Sequence, residues 1–533
     1  MALLQSVVSG VLGAWWRLPP GGFGVDTTRS IRVAMRDGVE LATDLYRPRG
    51  ARRSPTILMR SPYGRRHVFG LVARMFAQRG YAVVLQSVRG TFGSQGSFDP
   101  FFQERDDGLD AVAWIERQPW FDGKLGLYGT SYLGQVIWAI AAQLGSRVSA
   151  ITVVQSASDF HAAIWGGGAF RLQDFLQWTQ QIATQERGHP IVRLLKKRSA
   201  ARHLQRHHQE LPLRTLDERA IGAPIGFWRT WVEHGVDDPI WRALDDHATL
   251  DRVTAPVCLI AGWSDIFLDT QERDFRTLEA AGRTVRWVCG PWTHADLGSQ
   301  REGMRECLAW FDAHLRGGKP SPPERVRLSI NPAGAWSDSR TWPTRPTLRF
   351  GLNAEGTLTI DRTIKGSRTF SYDPFDPTPS VSGPTLSTRS GRADMSGFAS
   401  RQDVLTFESD PLESALEIFG RPQVVLTTSA DDADHDLYVC LCDTDARGRA
   451  INITDGYVRL SNDHRDRRTS RIACLPTAWR VESGHRLQLL VAGGAFPRFD
   501  RNLGGAGAVT ITVHCGYDDA SSLTLNPDDS ALV

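Results

Sequence analysis

Short apolar runs alternate with helix-like segments between residues 30 and 155 of the chain. The runs "PTILMRSPYG", "YAVVLQSVRG", "KLGLYG" and "VSAITVV" are rich in Val, Ile and Leu and are closed by Gly, Pro or Ser, or lead directly into polar sequence. The segments between them, such as "GLDAVAWIERQP", repeat apolar residues at helical spacing. Because strands joined by helices run parallel, this alternation predicts an α/β fold with a mainly parallel sheet.

The pattern changes three times along the remaining chain. Strand-like runs vanish from 156 to about 250, where helix formers and a basic stretch predict a helical insertion, and the α/β pattern resumes over 251–318. The stretch "GGKPSPPE", at 317–324, is typical of a linker. From 325 to 533 many short alternating runs predict an all-β domain, a β-sandwich or jelly roll.

Size and charge exclude several classes of partner. With 533 residues we expect two or three domains. The net charge of +3 is too mild to indicate nucleic acid or an anionic membrane as the partner. No apolar run approaches the roughly 18 residues of a membrane span. We expect a small molecule as the partner, and the sequence leaves a homodimer open.

Cysteine usage and the N-terminus bear on location. The seven cysteines are odd in number and lie mostly in apolar runs, which predicts reduced, buried thiols and a cytoplasmic protein. The apolar segment 1–22 lacks a basic start and a small-residue cleavage site. It favours an amphipathic surface helix ended by Pro19 and Pro20 over an export signal.

The stretch "LGLYGTSYLGQVIWAIAA" places Ser131 in a glycine-flanked turn between a strand-like and a helix-like run. Such a turn is typical of a nucleophile elbow, in which the serine has a strained backbone and bulky neighbours would collide. The usual pattern is G-x-S-x-G, whereas here the second glycine, Gly134, comes one place late. The alternative is an ordinary strand-to-helix connection capped by Ser131.

A serine nucleophile needs a base, and the base needs an acid to hold it in the right tautomer. Asp265 directly follows "PVCLIAGWS", and His294 directly follows "TVRWVCGPWT". Both side chains would leave their strands at the same sheet edge as Ser131, in the chain order Ser, acid, His. His314, in a helical pattern, and Asp269, a turn further on, are less well placed. The sequence predicts the triad of Ser131, Asp265 and His294.

Further motifs carry a resemblance to a known family. They are "VAMRDGVELATDLYRP", "RSPYG", "VRGTFGSQGSF", "GTSYLG", "GWSDIF", "GPWTH", "GRAINITDG" and "FPRFDRN", spread from about residue 31 to 503. With them the chain resembles the CocE/NonD family of serine hydrolases, which includes cocaine esterase, α-amino acid ester hydrolases and X-Pro dipeptidyl-peptidases. The resemblance implies an α/β-hydrolase domain (30–155 and 251–318), a helical cap inserted at 156–250, and a C-terminal jelly roll over 325–533.

The resemblance also implies residue roles. It assigns the oxyanion hole to the hydroxyl of Tyr63 and the backbone amide of Tyr132, two fixed donors for the developing charge. It assigns Trp165, Trp178 and Phe267 to an acyl pocket, with plain packing aromatics as the alternative.

Departures from the family pattern concern specificity. Ser87 stands in "QSVRG" where many relatives have an aspartate, and we cannot place the carboxylate cluster that anchors a substrate ammonium group. We therefore expect a serine hydrolase that cleaves acyl esters or amides through an acyl-enzyme. The alternatives are an X-Pro dipeptidyl-peptidase, an α-amino acid ester hydrolase, or a non-catalytic binding protein that uses the jelly roll.

No cofactor or metal is expected. His203 and His207 are four residues apart on a probable helix but are surrounded by basic residues, which favours a solvated face. The segment 432–443 lacks the glycine and final glutamate of a calcium loop and reads as a polar loop that enters a strand. The motif at Asn452 lies too close to the predicted sheet to favour a glycan.

Overall fold

The computed structural model describes residues 2–187, 199, 201–294, 296–318, 325–360, 364–461, 467–505, 507–516 and 521–527. Most of the predicted linker and part of the basic cap stretch therefore lie outside the described residues.

A ten-stranded sheet forms the N-terminal part of the molecule. Its order is β1-β2-β4-β3-β5-β6-β9-β10-β11-β12. Its inner strands, from β4 and β3 through to β11, are parallel, and antiparallel pairs finish both edges. The strands are β1 (Val25–Ala34), β2 (Glu40–Pro48), β3 (Ser54–Ser61), β4 (Ala82–Ser87), β5 (Phe121–Thr130), β6 (Ala150–Val154), β9 (Val257–Ser264), β10 (Val285–Thr293), β11 (Val326–Ile330) and β12 (Ala335–Ser339).

Helices cover both faces of this sheet. One buried cluster joins the sheet to α1, α2 and α10, and another joins it to α3, α4 and α9. Burial on both faces explains why the strand runs are almost continuously apolar. The described helices are α1 (Ala2–Trp15), α2 (His67–Ala77), α3 (Glu104–Glu116), α4 (Tyr132–Leu144), α5 (Phe160–Ile164), α6 (Leu172–Thr184), α7 (Leu216–Ile221), α8 (Gly226–Glu233), α9 (Leu268–Ala280), α10 (Leu297–Arg316) and α11 (Ser396–Ala399).

Strands β11 and β12 belong to the first sheet. Residues 325–339 were expected in the all-β domain, but β11 pairs in parallel with β10, with Trp287 opposite Val326. The reason is a β10-α10-β11 crossover, which returns the chain to the edge of the first sheet. The second large sheet begins only at Leu348.

The C-terminal part is rich in β-structure, as predicted. Its eleven-stranded sheet has the order β15-β24-β18-β25-β13-β14-β16-β23-β19-β20, with β21 paired to β18, and β17 pairs with β22 apart from it. The strands are β13 (Leu348–Leu352), β14 (Thr357–Thr359), β15 (Gly366–Tyr372), β16 (Val404–Ser409), β17 (Leu416–Gly420), β18 (Gln423–Ala430), β19 (His435–Thr444), β20 (Ala450–Leu460), β21 (Arg468–Ala473), β22 (Thr477–Val481), β23 (Arg486–Ala492), β24 (Val509–Cys515) and β25 (Ser522–Leu525).

The segment between β6 and β9 is mostly helical and is called the cap below. It contains α5 to α8 and a tight hairpin that the sequence did not indicate, formed by β7 (Trp165–Gly166) and β8 (Ala169–Phe170). Aromatic rings fill the space between the cap and the first turn of α4. The cap therefore lies over the carboxyl end of β5.

The structure bears on the predictions for the cysteines and for the apolar N-terminal segment. All seven cysteines are buried and free, as their apolar surroundings predicted. The apolar N-terminal segment forms α1, which ends before Pro19 and packs against α2. Within the described residues, no helix is both long and apolar enough to cross a membrane.

Candidate active site

The turn at Ser131 joins β5 to α4. Ser131 has φ of 55° and ψ of −129°, a strained conformation for a residue with a side chain. A Cβ on Gly129 would lie 2.0 Å from the carbonyl oxygen of Leu133. A Cβ on Gly134 would lie 2.5 Å from the Cβ of Ser156, a residue that follows β6. The late glycine is needed because the first turn of α4 packs directly on the chain that leaves β6.

The three residues predicted as a triad meet at the carboxyl edge of the sheet. His294 Nε2 lies 3.1 Å from Ser131 Oγ, and His294 Nδ1 lies 2.7 Å from Asp265 Oδ2. Asp265 is 1% exposed, and its Oδ1 accepts the Phe267 N–H at 2.9 Å. An ionised carboxylate only accepts hydrogen bonds, so Nδ1 carries the proton and Nε2 is free to accept one from Ser131.

Tyr63 follows β3 by two residues and reaches the same edge. Its hydroxyl accepts the Trp178 indole N–H at 3.0 Å and lies beside the Ser131 side chain. Burial raises the pKa of Tyr63, and Trp178 and Ser131 offset part of that rise. The hydroxyl is therefore neutral and keeps its proton beside the serine oxygen.

The side chain of Tyr132 is fixed by a buried charge network. Its hydroxyl donates to Glu104 Oε1 at 2.7 Å and accepts the Phe101 N–H at 3.0 Å. Arg60, 1% exposed, lies 2.9 Å from Glu104 Oε2. Burial raises the pKa of Glu104, against the opposing effect of Arg60. This network holds Tyr132 by its ring and so fixes the backbone amide at the start of α4.

Aromatic rings line one side of the three-residue cluster. The rings of Phe267 and His294 lie 5.6 Å apart, and Phe160 packs on Phe267 at 5.1 Å. Trp165 instead packs edge-on against Phe170 at 5.4 Å inside the cap. Among the described residues, no ring contact or hydrogen bond joins Trp165 to the cluster, whereas Phe267 lies against it.

Sequence reasoning missed supporting residues that lie far away in the chain. Gln155, fully buried with a φ of 49°, donates its amide to the Thr293 carbonyl at 2.8 Å and so supports the residue before His294. Arg60 and Glu104 were also missed. A positive φ at a glutamine has no sequence signal, and charged residues in isolation suggest a surface.

The serine that departs from the family pattern has a partner. Arg65 donates to Ser87 Oγ at 2.5 Å and forms an ion pair with Asp44 at 3.2 Å. Asp44 thus supplies the negative charge beside Arg65, next to the chain that carries Tyr63.

The rival residues have other partners. Asp269 forms an ion pair with Arg421, and His314 packs on Trp310 with ring centroids 4.4 Å apart. His207 binds Glu210 at 2.7 Å, and the described residues contain no cluster of three metal-binding side chains. The segment at 432–443 does run into a strand, because β19 begins at His435.

Comparison with known proteins decides the family. The model of the X-Pro dipeptidyl-peptidase (S15 family) matches residues 37–296, and that of the X-Pro dipeptidyl-peptidase C-terminal non-catalytic domain matches residues 318–524. Cocaine esterase of Rhodococcus sp. (strain MB1 Bresler) is 30% identical over 547 residues, which cover 90% of this chain and 93% of that protein. The chain belongs to the CocE/NonD family of serine hydrolases.

Solved structures support the fold of this CocE/NonD member. An α-amino acid ester hydrolase superimposes with a TM-score of 0.80 at 21% identity, over 95% of this chain and 97% of that chain. An aminopeptidase from a marine sediment Thaumarchaeota archaeon gives a TM-score of 0.77 at 20% identity, over the same shares of the two chains. The predicted combination of an α/β-hydrolase domain and a C-terminal β-rich domain is confirmed.

Family membership makes the protein a serine hydrolase. This outcome removes the non-catalytic binding protein from the alternatives.

Proposed function

We propose that this protein hydrolyses acyl esters through an acyl-enzyme intermediate, with Ser131 as nucleophile, His294 as base and Asp265 as acid. The observation that carries the proposal is the pair of distances at His294, 3.1 Å to Ser131 Oγ and 2.7 Å to Asp265 Oδ2. One imidazole within reach of both partners can take the serine proton while its charged form is stabilised.

In the first half-reaction, His294 Nε2 takes the proton of Ser131 as Oγ attacks the ester carbonyl. Negative charge then develops on the carbonyl oxygen, which the Tyr63 hydroxyl and the Tyr132 amide bind. The tetrahedral intermediate collapses, and the alcohol leaves with the proton held by His294. The acyl group stays on Ser131.

In the second half-reaction, water takes the place of the alcohol. His294 removes a proton from it, the resulting hydroxide attacks the acyl carbonyl, and the same two donors bind the oxyanion. Collapse returns the proton from His294 to Ser131 and releases the acid. Asp265 keeps the ring oriented through both halves.

The surroundings favour an uncharged acyl group. The ring of Phe267 lies beside His294, and the ring of Trp178 lies beside Tyr63. Two buried carboxylates near the site already have cationic partners, because Glu104 pairs with Arg60 and Asp174 with Arg171. A substrate ammonium group at either of these two carboxylates would have to displace its arginine. We propose that the cap, at 156–250, and the C-terminal β-domain set which acyl groups fit.

The match of residues 37–296 to the S15 family supports a second candidate, an X-Pro dipeptidyl-peptidase. The discriminating assay compares a Gly-Pro anilide with a short aryl ester. Fast release from the anilide that is abolished by capping its N-terminus would favour the peptidase. Activity confined to the ester would favour the esterase.

The proposal is tested with Ser131→Ala. We expect loss of nearly all turnover of p-nitrophenyl acetate and of labelling by a fluorophosphonate, with an unchanged unfolding temperature, because only the nucleophilic oxygen is removed. The control is Ser156→Ala, after β6 and in contact with the elbow residue Gly134, because its hydroxyl has no hydrogen-bond partner among the described residues. Equal turnover by Ser131→Ala and the wild type would overturn the assignment.

A further inference from the structure

One buried arginine joins three parts of the molecule beside the catalytic acid. Arg171, immediately before α6 and 7% exposed, donates to the Ile266 carbonyl at 2.8 Å. Its second terminal nitrogen donates to the Pro384 carbonyl at 3.1 Å and to Asp174 Oδ2 at 3.1 Å. A guanidinium group suits this position because its donors are held in a rigid plane.

The carbonyl that Arg171 binds belongs to the same peptide unit as an N–H that orients the acid. Ile266 C=O and Phe267 N–H are the two ends of one peptide bond, and that N–H donates to Asp265 Oδ1 at 2.9 Å. Asp265 Oδ2 binds His294, which in turn reaches Ser131. A continuous series of hydrogen bonds therefore runs from the guanidinium through one planar peptide to the serine.

Such a series both orients and polarises its members. The peptide plane is rigid, so holding its oxygen fixes the direction of its N–H. A cation on the carbonyl oxygen strengthens that N–H as a donor, because hydrogen bonds in series polarise one another. Among the described residues, Phe267 alone donates a backbone N–H to the Asp265 carboxylate, so a turn of this peptide would release the carboxylate from its second anchor.

Asp174 holds Arg171 in place. It lies one turn further along α6, is 1% exposed, and its Oδ1 accepts the Leu386 N–H at 2.7 Å. Pro384 and Leu386 precede β16 in the C-terminal part of the chain, and Gln177 of α6 donates to the Leu386 carbonyl at 2.9 Å. The pair of Arg171 and Asp174 is thus anchored to a segment outside the α/β-hydrolase sheet.

We propose that Arg171 is a positioning residue of the reaction, which fixes the Ile266–Phe267 peptide so that Asp265 meets His294 in the catalytic orientation. Arg171 does not touch the substrate and acts through the acid alone. Asp174 and the Pro384–Leu386 segment keep the guanidinium at the peptide, so the C-terminal part of the chain contributes to the geometry of the triad. The inference rests on the function proposed above.

The test compares Arg171→Met, which keeps the apolar stem and removes every donor, with Arg171→Lys, which keeps the charge but carries its donors on a single nitrogen. Each variant is assayed with p-nitrophenyl acetate and labelled with a fluorophosphonate, and active sites are counted by the acyl burst. For Arg171→Met we expect kcat per active site to fall by on the order of 10- to 100-fold, as for other residues that orient a catalytic group, with KM within about twofold. Labelling should slow in parallel, and Arg171→Lys should recover part of both rates.

A matched control variant distinguishes a positioning role of Arg171 from a purely structural role. Arg459 is a partly buried arginine between the cap and the C-terminal part, with an ion pair to Asp436 at 2.9 Å, and none of its contacts among the described residues reaches residues 265–267. Arg459→Met should lower the unfolding temperature and leave kcat per active site unchanged. The far-downfield proton resonance of the hydrogen bond between His294 and Asp265 should move in Arg171→Met and stay in Arg459→Met.

Three outcomes would overturn the inference: wild-type kcat per active site in Arg171→Met, a raised KM with unchanged kcat, or an unchanged downfield resonance. If Arg171→Met does not fold, Arg171→Lys and Asp174→Asn decide by the same criteria, because both keep polar atoms at the buried position. A wild-type enzyme that is not labelled at Ser131 would instead contradict the proposed function.

Discussion

A hydroxyl group carries one proton, and this limit decides what Tyr63 can do. The Trp178 indole can only donate, so the bond between them occupies a lone pair on the tyrosine oxygen and leaves its proton for another acceptor. The neighbouring polar group is the Ser131 side chain. In the proposed mechanism, the oxyanion becomes the stronger acceptor at that place once Ser131 has attacked. Trp178 thus contributes to the direction of the Tyr63 proton as well as to the aromatic wall.

Replacing Tyr63 by phenylalanine removes this proton and little else. We expect kcat for an aryl ester to fall on the order of 100-fold, since one of two donors to the oxyanion is lost, with a small change in KM. Steady-state kinetics on the wild type, on the Tyr63 variant and on a control variant measures the effect. Tyr81→Phe is the control, because its buried hydroxyl donates to Asp312 at 2.6 Å, away from the site. A rate equal to that of the wild type would assign the oxyanion to other donors.

The residues of the site differ in how well the sequence predicts them. Asp265 and His294 each directly follow a strand, so a sheet with known strand order predicts their meeting. Arg171 and Glu104 act through contacts with backbone or side chains 28 to 213 positions away. No local pattern encodes such pairs, and a charged residue in an alternating segment is ordinarily expected in solvent.

At the scale of elements, sequence patterns predicted whether a segment is a helix or a strand better than they predicted which elements pair with it. Alternation predicted β11 as a strand, but an alternating strand fits either sheet, and pairing with β10 depends on the α10 crossover. The β7–β8 hairpin has two residues in each strand, too few for a period. The cap helices, in contrast, followed from the absence of strand-like runs.

The cap contains a histidine that affects stability as a function of pH. His208 follows the helical residues 201–207, is 5% exposed, and its Nε2 has no hydrogen-bond partner among the described residues. Burial, with a smaller effect of the charge on His207, lowers the pKa of His208 from 6.5 to about 4. The unfolded chain therefore binds a proton at higher pH than the folded chain does.

Stability should consequently fall as the pH drops below 6.5, and the loss should be complete below the folded pKa of about 4. The difference corresponds to about 3 kcal/mol in the free energy of unfolding. His208→Leu should lose this part of the pH dependence in urea unfolding across that range. His67→Asn, at an exposed histidine outside the cap, is the control and should follow the wild type. Parallel curves for His208→Leu and the wild type would contradict the prediction.

At the scale of the whole molecule, the two large parts share a core. Phe419 and Ala478, from β17 and β22, belong to the same buried cluster as the strands of the first sheet. Arg421, 8% exposed, reaches back to α9 and binds Glu272 at 2.7 Å and also Asp269. We therefore expect the sheets to unfold in one transition.

Arg421→Met tests this coupling. It leaves Glu272 buried with Arg276 as its remaining partner, and should lower the free energy of unfolding by about 3 kcal/mol. Arg345→Met is the control, because its partner Glu417 is partly exposed and the pair should contribute at most about 1 kcal/mol. Urea unfolding measures the free energy of unfolding of both variants, and calorimetry shows the number of transitions. Two separate transitions in the wild type would contradict a shared core.

The burial of all seven cysteines has a practical consequence for the protein in a test tube. A thiol reagent can reach these sulfur atoms only in molecules that have opened. The absorbance change of a chromogenic thiol reagent over time therefore reports how often the fold opens. Air oxidation would spare the closed molecules and cross-link the opened ones into aggregates. Loss of material on storage should then follow the rate of opening, and a reducing agent should slow the loss without changing that rate.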